Sequence, residues 1–276
     1  MRAAVDFGLT NIDVVVQAPG SAQQYFTLPT EGDVDVNQLR RALGATGYRL
    51  EEFRTIAVTG GQHRRLPGVS EGLTLTPVDE VSAVGRGGLT LSQLPEALVV
   101  SAGSGTAIVA ARRGDVHHAT GSAVGGGTLQ GLGRLLLGTA DPIEIDALAG
   151  QGDSNGVDLS LIEATGGVLG RLPADANAVN FGRVARMSHV DPAWRAKRED
   201  VAAGLVLMIG QVIAVIAINA ARAEGLEHIV IVGHLVDMSS VRRVLKTVAG
   251  YYSADIVFPE FPGYATAIGA LAGLPE

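Results

Sequence analysis

Two stretches far apart in this chain are built alike, and the repetition constrains the fold more than any other feature. Residues 3–6 and 13–17 are apolar runs of strand length around the turn Gly8-Leu9-Thr10-Asn11. Residues 97–101 and 107–111 repeat the design around Ala102-Gly103-Ser104-Gly105-Thr106. Each unit reads as a hairpin with a glycine-bearing turn. Between and after them, helical spacing at 37–44, from within 78–84, at 128–137 and near 159–165 alternates with a strand at 55–58 that ends in Thr59-Gly60-Gly61. A strand at 228–232, a helix at 239–249 and a closing helical run after Gly263 follow. Strands alternating with helices predict an α/β fold with a mainly parallel sheet. A strand–turn–strand unit that occurs twice predicts two related lobes. No linker-like composition separates them, and the boundary is placed near Pro95, giving lobes of residues 1–95 and 96–276.

Glycine fills 37 of 276 positions, nearly twice the usual share of about 7%. There is no G-X-Y period and 47% of residues are hydrophobic, which excludes collagen and low-complexity disorder. The glycines therefore serve tight turns and close backbone approach. With 28 acids against 21 bases and a net charge of -7, the chain is a poor binder of phosphate backbones, and no nucleic-acid partner is expected. The absence of cysteine removes disulfides, thiol catalysis and cysteine-held zinc. The chain opens without a basic region leading into an apolar one, and a cytoplasmic location is expected. Residues 201–221 carry no charge and are long enough to span a bilayer. They include Gln211 and Asn219, are rich in alanine, and form the only such segment; a helix buried in an α/β core or a subunit interface is predicted, not a membrane span.

The first turn, Asp6-Phe7-Gly8-Leu9-Thr10, can wrap a terminal phosphate: its N–H groups and the Thr10 hydroxyl would donate, and Asp6 would face Mg²⁺ through water. A plain tight hairpin explains the same residues. The pair of turns says more than either alone, because two such units facing each other could clamp a polyphosphate, with Gly103, Ser104, Gly105 and Thr106 supplying the second jaw. A third glycine stretch, Gly121-Ser122-Ala123-Val124-Gly125-Gly126-Gly127-Thr128, runs into a predicted helix. Three glycines at a helix start admit a ligand to the backbone, and a helix N-terminus favours an anion. The spacing does not fit a Rossmann fingerprint, and no Gly-Lys-Ser/Thr of a Walker loop occurs. No serine is flanked by glycines in a nucleophile elbow. His117 and His118 are neighbours that point apart on a strand and do not make a zinc site. Asp79 and Glu80, ahead of a predicted helix, can be read as charges that complement its dipole.

Six further stretches, in this order, carry a family likeness: VGGGTLQGLGRLL at 124–136, GDSNGVDLSLI at 152–162, NAVNFGRV at 177–184, MIGQVIAVIAINAA at 208–221, IVIVGHLVD at 229–237 and FPGYATAIGAL at 261–271. Together they resemble the type II pantothenate kinases, within the superfamily of sugar kinases, actin and related ATPases, over nearly the whole chain. The resemblance implies a two-lobed actin-like, ribonuclease H-like α/β fold with an ATP cleft between the lobes. It implies an ATP- and Mg²⁺-dependent kinase that converts pantothenate to 4'-phosphopantothenate, the first step of coenzyme A synthesis, and a homodimer. The family's general base matches Glu80 in PVDEVSAVGRG at 77–87. Asp6, Gly8, Thr10 and residues 103–106 match its phosphate loops. Gly125, Gly126, Gly127, Thr128, Gln130 and Asn180, with Gly233 and His234 beyond, are expected around the base and ribose, and His118, Gly121 and Ser122 around the acceptor.

Two positions depart from the family pattern. Leu9 and Asp13 stand where the family has a glycine and a lysine near the ATP phosphates. An anion in place of that cation loses an attraction and adds a repulsion, each worth a few kcal/mol at about 4–6 Å and an effective dielectric near about 20. His118 stands where the family has an arginine that binds the pantothenate carboxylate, and a neutral imidazole cannot make that bidentate charged fork. Two alternatives therefore stay open at this point: a kinase of another small alcohol or sugar, and an ATP-binding regulatory homologue without transfer activity.

Overall fold

A computed structural model describes residues 1–274 apart from Pro67, Glu71, Gly72, Arg171 and Pro192. Strands β1 (Arg2–Phe7), β2 (Asn11–Gln17) and β3 (Gln24–Pro29) form an antiparallel meander. Helix α1 (Val36–Gly44) crosses back so that β4 (Thr55–Thr59) pairs in parallel with β1. With β5 (Val69–Ser70) and β6 (Leu73–Pro77) the sheet runs β3-β2-β1-β4-β6-β5. Helix α2 (Glu80–Ser92) leads into a second meander of β7 (Glu96–Ala102), β8 (Thr106–Arg112) and β9 (Asp115–Ser122). Then come α3 (Gly126–Leu136), α4 (Pro142–Gln151), a ribbon of β10 (Leu159–Ser160) and β11 (Asn177–Val179) enclosing α5 (Leu161–Thr165), α6 (Gly182–Val190) and α7 (Arg198–Glu224). Strand β12 (His228–Val232) pairs in parallel with β7, α8 (Ser239–Tyr252) follows, β13 (Asp255–Val257) pairs in parallel with β12, and α9 (Ala265–Ala272) closes the chain. The second sheet runs β13-β12-β7-β8-β9. Both sheets thus share one plan, a three-strand meander whose first strand takes a parallel neighbour on its other side.

Strand alternation assigns each face its cover. In β1 and β2, Ala3, Val5, Phe7, Ile12 and Val14 bury one face against α1, while Ala4 and Val15 bury the other against Ile268 and Leu271 of α9. In β7 and β8, Leu98, Val100, Ile108 and Ala110 join Ile209 and Ile213 of α7, whereas Val99, Val109 and Ala111 meet Val84 of α2. Helices α2 and α9 therefore form a layer between the two sheets. They approach closely because each presents glycine to the other: a Cβ on Gly87 would lie 1.8 Å from the Ala265 carbonyl oxygen, and one on Gly269 would lie 1.9 Å from that of Ala83. Helix α7 is long and apolar enough to cross a membrane. Here it packs on α3, α4, α8 and β7 in the core, as its sequence predicts. An apolar stripe along it, Leu207, Met208, Val212, Val215 and Ile216, stays only half-buried.

Candidate active site

The two hairpin turns point into one cleft of about 800 Å³ between the sheets. Gly8 makes the first turn because a Cβ there would lie 2.8 Å from the Asn11 carbonyl oxygen. Thr30 braces that turn, its N–H donating to the Thr10 carbonyl and its hydroxyl to the Gly8 carbonyl, both at 2.9 Å. Gly103 N–H closes the second turn onto the Gly105 carbonyl at 3.0 Å. The turns meet: the Thr10 and Ser104 hydroxyl oxygens are 2.6 Å apart.

The glycine triplet plays a different part from the one its sequence suggests. At the start of α3, Gly126 N–H donates to the Gly103 carbonyl at 2.7 Å and Gly127 N–H to the Ser104 carbonyl at 2.9 Å. Those two donors are satisfied by the second turn and are not free for an anion, since each N–H makes one strong bond. Gly125 lets the segments touch, as a Cβ on it would lie 2.8 Å from Gly105 backbone atoms. The triplet is a seat for the phosphate-type turn.

Three carboxylates line the cleft, Asp6, Asp13 and Glu80, together with His118 and His234; among the described lining residues there is neither lysine nor arginine. Asp6 is the penultimate residue of β1 and rests against Gly60, whose φ of +88° and lack of side chain leave room for its carboxylate. Burial first, then the charges of Asp13 and Glu80, push Asp6 up to about 8. Glu80 opens α2, and burial raises it above the ordinary glutamate value, with His63 and Arg64 opposing in part. The adjacent acids divide the work: Asp79 caps α2 by accepting from Ser82 N–H at 3.0 Å, and Glu80 faces the cleft. Asp13 is not the bare anion expected near the phosphates. Its Oδ1 accepts from the Thr27 hydroxyl at 2.6 Å and lies 3.0 Å from His234 Nε2, while His234 Nδ1 lies 2.8 Å from Asp237. Burial disfavours charge on His234, but the bonds to Asp13 and Asp237 outweigh it and raise the imidazole to about 10.

Of the residues singled out from sequence, Asp6, Gly8, Thr10, Glu80, residues 103–106, Gly126, Gly127, Gln130, Gly233, His118 and Ser122 line the cleft. His117 and His118 do point apart, the former toward Glu224 at 3.3 Å. Four others lie outside the lining. Gly125 backs the second turn. Thr128 accepts from Gly125 N–H and donates to the Ala123 carbonyl, capping its own helix. Gly121 lets β9 approach β8, since a Cβ there would lie 2.8 Å from the Thr106 carbonyl oxygen. Asn180 is held beside the β10–β11 ribbon, its amide oxygen accepting from Asn177, which also reaches Gln211. Gln62 and Met238 line the cleft without a motif to announce them, whereas Leu235 and Thr266 fall within the family-like stretches 229–237 and 261–271.

Residues 90–273 match the Fumble family. A type II pantothenate kinase from Oceanobacillus iheyensis is 29% identical over 229 residues, covering 80% of this chain and 83% of that relative. Among solved structures, the activator of the 2-hydroxyisocaproyl-CoA dehydratase from Clostridium difficile with bound ADPNP superposes with a TM-score of 0.66 at 18% identity, covering 98% of this chain and 92% of that one. A ROK family glucokinase from Streptomyces griseus in complex with glucose and AMPPNP gives a TM-score of 0.62 at 12% identity, with 98% of both chains covered. The fold is thus the two-lobed actin-like α/β fold that the sequence predicts.

Proposed function

The chain belongs to the Fumble family, and from that membership we propose that it is an ATP-dependent kinase that phosphorylates the primary hydroxyl of pantothenate, at the start of coenzyme A synthesis. The observation that carries this reading is the meeting of two glycine-bearing hairpin turns across a cleft floored by Asp6 and flanked by Glu80.

Phosphoryl transfer asks a protein mainly for alignment and charge stabilisation. The turns at Gly8–Thr10 and at Ser104 and Gly105 supply backbone donors to the triphosphate, and a phosphate between them would replace the Thr10–Ser104 contact with one bond from each hydroxyl. Glu80 accepts the proton of the acceptor hydroxyl as that oxygen bonds to the γ-phosphorus and the bond from phosphorus to the ADP oxygen breaks. Burial raises Glu80 toward neutrality, which suits a general base. His118 and Ser122 lie where the acceptor would bind. The residues fit a hydrated Mg²⁺: Asp6 is crowded by two other acids, a place that a cation relieves, and no cluster among the described residues would ligate a metal directly, so Asp6 would hold it through water. Bound there, Mg²⁺ would neutralise phosphate charge. Closure of the lobes, 1–95 with α9 packed on it against the remainder, would exclude water from the transfer.

The half-buried stripe on α7 is the surface we assign to a homodimer, as a second copy of the stripe would cover it; sedimentation as a monomer at micromolar concentration would remove that assignment. The test of function is ATP-dependent phosphorylation across a panel of pantothenate and common sugars, with Glu80→Gln as control. Pantothenate should be the best acceptor, and the variant should keep nucleotide binding while turnover falls at least about 100-fold. A sugar as best acceptor, or ATP binding without transfer to any alcohol, refutes the assignment.

A further inference from the structure

We propose that His234, held as a cation between Asp13 and Asp237, is the residue that lets this cleft accept a polyphosphate, by cancelling the negative charge that β2 carries to its floor. The inference rests on the nucleotide-binding reading of the cleft and adds to it a positioning pair drawn from both lobes.

The charge problem is visible in the lining. Asp6 and Asp13 are direct partners in the β1–β2 register, Glu80 is near enough to act on Asp6, and the described lining residues include no lysine or arginine. A polyanion entering such a cleft meets like charge, and at several Å in a partly desolvated site each uncompensated carboxylate weakens binding by an order of magnitude or so.

His234 answers one of those charges. Its Nε2 is 3.0 Å from Asp13 Oδ1 and its Nδ1 is 2.8 Å from Asp237 Oδ2. A neutral imidazole has one N–H and would turn a lone pair on one of these carboxylates. Both contacts are bonds only when both ring nitrogens donate, which makes the ring a cation. Its place is fixed by packing as well as by charge. Tyr264 meets the ring edge-on at 5.8 Å, and a Cβ on Gly263 would lie 2.2 Å from the ring, so only glycine fits beneath it. Asp13 is 5% exposed, too buried for water to screen it, and its other recorded partner on this oxygen is the neutral Thr27 hydroxyl. The compensating charge arrives from the opposite lobe: Asp13 belongs to β2, and His234 follows β12.

The experiment is calorimetric titration of the full chain and its Asp13→Asn, His234→Gln and doubly substituted forms with ATP, ADP and adenosine. His234→Gln should weaken ATP at least about tenfold, ADP less, and adenosine by no more than about twofold. Adding Asp13→Asn should restore ATP to within about threefold of the unaltered protein, and Asp13→Asn alone should bind ATP a few-fold more tightly. Unchanged ATP affinity in His234→Gln, equal losses for ATP and adenosine, or failure of Asp13→Asn to rescue would overturn the proposal. If His234→Gln does not fold, Asp13→Asn alone decides, tighter ATP binding supporting the proposal and unchanged or weaker binding refuting it. ATP binding by the unaltered protein without pantothenate phosphorylation would retire the acceptor assignment and leave this charge cycle intact; no ATP binding at all would overturn both.

Discussion

Substituting Gly125 by alanine isolates the glycine triplet's role as a seat. Its φ of -174° is extended backbone that alanine adopts freely, so the whole effect is steric. The new Cβ would lie 2.8 Å from the Cα, carbonyl carbon and oxygen of Gly105, whereas carbon atoms rest at about 3.5–4.0 Å. The second turn or the start of α3 must move by about 0.7–1.2 Å. Added to the 2.7 and 2.9 Å bonds from Gly126 and Gly127, that displacement takes both beyond hydrogen-bonding range. Two backbone bonds at about 0.5–1.5 kcal/mol each give a loss of about 1–3 kcal/mol. Because the displaced turn is the proposed phosphate jaw, affinity for a non-hydrolysable ATP analogue should fall by about 5- to 150-fold. Gly131 supplies the contrast: it lies in the same helix with open space around its Cα, and Gly131→Ala should stabilise by up to about 1 kcal/mol through helix propensity. Urea unfolding and calorimetry read both. Gly125→Ala with unaltered stability and nucleotide affinity would refute the seat.

Gly87→Ala should cost about 3 kcal/mol or more, since the Cβ would press on the Ala265 carbonyl oxygen and overpacking against backbone exceeds the roughly 1 kcal/mol gained in helix propensity; a urea midpoint at or above that of the unaltered protein would show that α2 and α9 are not packed this tightly. Asp158 is buried, with one oxygen accepting from Phe181 N–H at 2.7 Å and the other without a partner. Burial raises its pKa to about 6 from 3.8. Between those values the unfolded chain has released the proton and the folded protein retains it, so stability falls as pH rises from about 4 to about 6 and the loss is complete above that. Asp158→Asn should remove this step from a comparison of urea unfolding at pH 4.5 and 7; an identical pH dependence in both proteins would exclude Asp158 as its source.

The two hairpins were legible because their apolar strands and glycine-rich turns are local signals, and α7 because 21 uncharged residues at 201–221 have few alternatives. Other elements carry weaker local signals. Strand β3 is only half-buried and β9, DVHHATGS, is polar along an edge, so neither shows a clear apolar alternation. Helix α4 does carry a local start signal, Asp141 accepting from Ile143 N–H with Pro142 at the first position. The site divides in the same way. Turn residues and the Asp79–Glu80 pair lie where their motifs put them. The engagement of the triplet by residues 103–104 depends on tertiary contact, and the Asp13–His234 bond joins residues 221 positions apart, so neither follows from spacing. Asn180 shows the converse: a motif that matched in sequence serves the β10–β11 ribbon in the fold.

The position of α9 has a consequence for how the protein is made. Helix α9 covers one face of the first sheet, burying Ala4, Val15 and Ala57, so strands β1, β2 and β4 lack that cover until α9 has been synthesised. Chains often secure their leading segments while the rest is still being translated; here an apolar sheet face stays bare until α9 emerges, and deletion of α9 would leave it so for good.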